Sequence, residues 1–119
     1  MPSLIFLATQ DPALAESWSR HVPAGRVVLR LGEQVFPAAP TPGFAAVVVL
    51  DAACVDRLPA GLARCPTIFV GEPRSLPFEQ ARLAGWAKVY LSYEDSADRL
   101  GDFLPVVDEL AEQQALAES

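Results

Sequence analysis

Residues Ala45 to Leu50 read AAVVVL, an uninterrupted apolar run with three consecutive valines. A strand with one wet face alternates apolar and polar residues; a run with no alternation belongs to a strand covered on both faces, as in a parallel sheet flanked by helices. Parallel neighbours need crossovers of a dozen residues or more, so this run demands a chain in which strands and connecting segments alternate. The rest of the sequence supplies them. Ser3 to Ala8 is a second apolar run, followed by Asp11 and Pro12, a helix N-cap with proline in the first turn. Leu14, Trp18 and Val22 then recur every four residues, one buried stripe, until Pro23 and Gly25. Further strands are predicted at Arg26 to Leu31, Thr67 to Val70 and Val89 to Leu91, with a helix from Ser75 to about Ala84.

Two crossovers are poor in helix signals. Gly32 to Gly43 holds Pro37, Pro40 and Pro42, and Ala52 to Pro66 holds Pro59 and Gly61. Proline removes a backbone donor and restricts the residue before it, so the second crossover helix is expected to be short or missing. After the fifth strand, Leu100, Phe103, Leu104, Val107, Leu110 and Ala111 recur at helical spacing. Pro105 falls within that pattern, which predicts a restart at Asp102 or a kink. The expected fold is therefore α/β: three layers, with a five-stranded parallel sheet, doubly wound. One domain spans residues 1–119, with 109–119 a polar helical tail that leads toward a further domain.

Composition narrows the function. A net charge of -6 and scattered arginines, with Lys88 the only lysine, exclude a basic stripe for nucleic acid. Cys54 and Cys65 are too far apart for a CxxC pair, and the single His21 brings no second ligand, so neither a metal nor a Ser/His/Asp set is expected. The cysteines read as small core residues of a reducing cytoplasm. The apolar start has no basic residues before it and is too short for a signal peptide or membrane span. The loop ATQDPA lacks the glycines of a nucleotide phosphate cradle, so no cofactor is expected. Trp18, Trp86, Tyr90 and Phe103 read as core or interface aromatics.

Three segments carry a resemblance. LIFLATQDPAL is an apolar strand followed by acidic residues and a helix start; AAVVVLD ends its strand on Asp51; LAGWAKVYLSYEDSADRL combines an Ala-Gly turn, a strand and the start of a final helix. In order and spacing the chain resembles the CheY-like receiver domain of bacterial response regulators, which has the flavodoxin-like fold and places its site at the carboxyl ends of the strands. The resemblance implies that Asp51 occupies the phosphoacceptor position. It also implies a degenerate site. The acidic pair that helps hold Mg²⁺ in the family falls on Thr9 and Gln10, with Asp11 committed to capping the first helix. The hydroxyl residue after the fourth strand falls on Gly71, and the lysine after the fifth on Ser92 or Tyr93. Lys88, about 10 Å away at the other end of that strand, is no substitute.

These replacements imply a non-catalytic pseudo-receiver, a cytoplasmic signalling domain acting through a protein partner or its own copy. Two alternatives remain: a phosphate-accepting receiver using Asp51 with a divergent metal site, and a small flavodoxin-like enzyme or ligand carrier built around Thr9, Gln10, Asp51 and Glu72. In the family the fourth helix, fifth strand and fifth helix form a dimer face. Here that face would carry Phe78, Arg82, Lys88, Tyr90, Asp98, Arg99 and Asp102, and a weak homodimer is expected.

Overall fold

The computed structural model describes residues 3–118. Strands β1 (Ser3–Ala8), β2 (Val27–Arg30), β3 (Ala45–Asp51), β4 (Thr67–Val70) and β5 (Val89–Leu91) form one sheet. Every pairing is parallel and the order is β2-β1-β3-β4-β5, the flavodoxin-like arrangement. All residues of β1, β3 and β4 are buried. That is why these strands read as apolar runs without alternation.

The two faces of the sheet have different coverings. Ile5, Leu7, Val47, Val49, Ile68 and Val70 pack against helices α1 (Pro12–Ser19) and α3 (Tyr93–Glu118), which contribute Trp18, Leu100, Leu104, Val107 and Ala111. On the other face Leu4, Phe6, Val48, Leu50 and Phe69 meet helix α2 (Leu76–Leu83) through Phe78. The remainder of that face is covered without α-helix. The loop from β2 to β3 is irregular and contributes Phe36, whose ring meets Phe6 edge-on at 5.1 Å. Two 3₁₀ segments, Ala52–Arg57 and Ala60–Arg64, replace the next crossover helix and bury Cys54 and Leu62. They pack tightly against the preceding loop: a Cβ at Gly61 would collide with the Ala38 carbonyl. The second crossover helix is thus missing, as the prolines required.

α1 begins as read, with Asp11 Oδ1 accepting from the backbone N–H of Ala13 at 3.0 Å and Leu14 at 3.4 Å. It ends sooner, at Ser19, and Val22 packs on the core from the following turn. His21 is half-buried: its Nε2 lies 2.7 Å from the Ala97 carbonyl of α3, and its ring fills the space beside Gly101. α3 departs from expectation. It starts at Tyr93 and continues through Pro105 to Glu118, 26 residues with no restart at Asp102. Pro105 faces solvent, while Leu104 and Val107 on either side of it are fully buried, so packing against the sheet offsets the lost intrahelical bond.

Candidate functional site

The candidate site lies at the carboxyl ends of β1, β3, β4 and β5, beside the point where strand order reverses. Register brings its residues together. Ala8 pairs with Leu50 and Asp51 with Val70, which in turn pairs with Leu91. Thr9, Asp51, Gly71 and the Ser92–Tyr93 turn therefore leave the sheet at one level.

Asp51 is only 6% exposed, and both of its carboxylate oxygens are occupied. Thr9 Oγ1 donates to Oδ2 at 2.8 Å; Tyr93 Oη donates to Oδ1 at 2.7 Å; the Ala53 N–H donates to Oδ1 at 3.1 Å. The last bond makes Asp51 the N-cap of the 3₁₀ segment that follows it. A buried carboxylate needs such donors, since one left unpaired costs several kcal/mol. Thr9 is itself fixed, accepting from the Asp11 N–H at 3.2 Å. Burial, then the Asp51 carboxylate, pushes the Tyr93 phenol well above the ordinary tyrosine range, so it remains a proton donor. Burial likewise raises the thiol of neighbouring Cys54, which leaves it a poor nucleophile.

The other positions fall as follows. Gly71 is buried, and its N–H donates to the Leu91 carbonyl at 3.0 Å. A Cβ there would lie 3.0 Å from the Ala52 methyl and 3.2 Å from the Phe78 ring, so the space for a hydroxyl side chain is already filled. Ser92 caps α3, its Oγ accepting from the Asp95 N–H at 3.1 Å. Of the two residues aligned with the family's lysine, it is Tyr93 that contacts Asp51. Lys88 pairs its backbone with Thr67 at the opposite end of the sheet. Gln10 and Asp11 are exposed, and Asp11 is held by its capping bonds.

This donor set does not fit Mg²⁺. A hard divalent cation seeks several oxygen ligands with carboxylates among them, yet the site offers one carboxylate already receiving three hydrogen bonds. Among the described residues, no three His, Cys, Asp or Glu side chains gather closely enough to hold a metal ion. Glu72 is exposed and, among the described residues, makes no hydrogen bond to Asp51.

The proposed dimer face is altered at its centre. Phe78 is buried against Phe69, with ring centroids 5.9 Å apart, because α2 needs an anchor on the sheet. Tyr90 is half-buried, its hydroxyl tied between the Ala81 carbonyl and the Ala87 N–H. Arg82, Lys88, Asp98, Arg99 and Asp102 are exposed. Three of them are paired within the chain, Arg82 with Glu79 at 2.7 Å and Arg99 with Asp102 at 3.7 Å. The Glu79 carboxylate raises the Arg82 pKa further.

Sequence reading identified Thr9, Asp51 and Tyr93 separately but not as one hydrogen-bonded set. It also missed the pair Arg26 and Asp108, a buried carboxylate held at 2.6 Å by a guanidinium. Among the described residues no helix is long and apolar enough to cross a membrane. No protein-family model matches the chain, and no curated protein matches it.

Proposed function

We propose that this chain is a non-catalytic pseudo-receiver, a signalling domain that works by presenting surfaces to a protein partner or to its own copy. The observation that carries this reading is the state of Asp51. Phosphoryl transfer relies on positioning and on cations that neutralise developing charge. At the position the resemblance gives to the acceptor, both oxygens are engaged by hydroxyls and an amide, and among the described residues no ammonium pairs with them. Thr9 and Tyr93 hold this end of the sheet in one arrangement, which suits a fixed scaffold better than a switch. The partner surface is α3 with adjoining α2 and β5, where Val106 and Leu110 lie outward between charged side chains.

Mg²⁺ with beryllofluoride, which mimics a phosphoryl group on aspartate, tests the reading. The backbone amide signals of Asp51, Ala53 and Gly71 are expected to stay in place throughout the titration. Saturable movement of those signals would identify a working receiver instead.

A further inference from the structure

The lost crossover helix has a second consequence, away from Asp51. The 3₁₀ segments pack toward the β2–β3 loop at Gly61 and leave a groove between Ala52–Arg57 and α2. This open groove has a volume of about 460 Å³, within the roughly 300–1,000 Å³ of small-molecule sites. Its walls are apolar and aromatic: Val55 and Ala81 on the sides, with Phe69 and Trp86 meeting edge-on at 5.5 Å. Trp86 is 37% exposed, an uncommon placement for the largest apolar ring. Two polar side chains, Asp56 and Gln80, also line the groove, and no cation does. Among the described residues, the Asp56 carboxylate, the Gln80 amide and the Trp86 indole N–H have no side-chain hydrogen-bond partner.

From these features we infer that the groove is a binding site for a small aromatic molecule bearing a protonated amine. The ring lies against Trp86, above the buried Phe69, where stacking adds to apolar burial. The ammonium meets Asp56, the one charge in the lining, and gains from the indole face as well. An anionic ligand of the same shape would bring a second negative charge to Asp56. Anions are better served by the neighbouring cleft that shares Trp86 and is lined by Arg64 and Lys88. Asp51 does not line the site, and the inference does not rest on the signalling role proposed above.

Three probes sharing one ring separate these terms: phenethylamine, phenethyl alcohol and phenylpropanoate, each titrated into the full chain and followed by NMR. Val55 and Gln80 serve as reporters because they line this groove and not the Arg64–Lys88 cleft. Phenethylamine is expected to move their amide signals and the Trp86 indole signal saturably, binding about tenfold more tightly than phenylpropanoate. Asp56→Asn, at an exposed position, is expected to leave folding intact and to erase that preference while ring binding persists. Three results would overturn the assignment: no saturable shift at Val55 and Gln80, equal affinity for the propanoate, or an undiminished amine preference in Asp56→Asn.

Discussion

Tyr93 is the residue whose chemistry changes most between sequence and structure. In the chain it is one of two positions where a lysine is missing. In the fold, the first turn of α3 brings its hydroxyl to 2.7 Å from Asp51. Nothing in a linear sequence announces such a bond, because it depends on β3, β4 and β5 ending in register. Thr9 has the same history. Tyr93→Phe keeps the ring and removes one donor from a buried carboxylate, so it is expected to lower stability by about 1–2 kcal/mol in denaturant unfolding. The pH dependence carries a distinct signature. The folded-state pKa of Tyr93 is raised, by burial first and Asp51 second, so the unfolded chain releases this proton earlier. The contribution of Tyr93 is therefore complete below the ordinary tyrosine pKa of about 10 and is lost as pH climbs from there toward the folded value. Unfolding measured from neutral to alkaline pH is expected to show a steeper alkaline decline in the wild type than in Tyr93→Phe. Parallel curves would mean that the hydroxyl makes no such contact.

At the scale of elements, legibility followed burial. β1, β4 and β5 begin and end where the apolar runs do, and the prolines between β2 and β3 correctly ruled out a helix. α3 differs from the expected pattern at its centre, where no restart occurs at Asp102. Its start agrees with the helix entry read in LAGWAKVYLSYEDSADRL, and Ser92 caps it by accepting from the Asp95 N–H. The proline in the helix is tolerated because of tertiary packing, which no local signal reveals. One further tie between elements was hidden. Arg26, just before β2, reaches Asp108 in α3 with both Nε (3.0 Å) and Nη2 (2.6 Å) on the same carboxylate oxygen, while Asp108 Oδ1 has no partner among the described residues. The carboxylate is buried and the guanidinium partly exposed, so the two are not equivalent to remove. Arg26→Ala leaves a buried charge alone and is expected to cost about 3 kcal/mol, whereas Arg26→Met with Asp108→Leu should return stability near the wild type. Chemical denaturation of the single and double variants checks this. A double variant no better than Arg26→Ala would show that packing, not the stranded charge, sets the cost.

At the scale of the molecule, the parallel five-stranded sheet was readable because strands buried on both faces leave a pattern that few other folds share. The surface was not, since exposed positions carry no periodic constraint. This bears on self-association. The face inferred from the resemblance placed Phe78 or Tyr90 at its centre and charges around them. With Phe78 in the core and Arg82 and Arg99 paired to Glu79 and Asp102 of the same chain, that face has lost its anchor and much of its free charge. Exposed ion pairs contribute about 0–1 kcal/mol each, too little to hold two copies. α3 offers a better surface. Its inward stripe Leu100, Leu104, Val107 and Ala111 is buried, and beside it runs a second stripe, Phe103, Val106 and Leu110, of which Val106 is 59% and Leu110 40% exposed. Two antiparallel copies of this stripe across a two-fold axis would bury each other's apolar surface, with Arg99 already lying over the Phe103 ring at 5.5 Å to shield one end. The stripe is short, so association is expected to be weak and visible only at high micromolar concentration. Sedimentation equilibrium is expected to show a concentration-dependent mass that Val106→Glu with Leu110→Glu abolishes and that Arg82→Glu with Arg99→Glu leaves in place. A monomer at every concentration, or a dimer indifferent to glutamate at positions 106 and 110, would restrict the interaction surface to one used by a different partner.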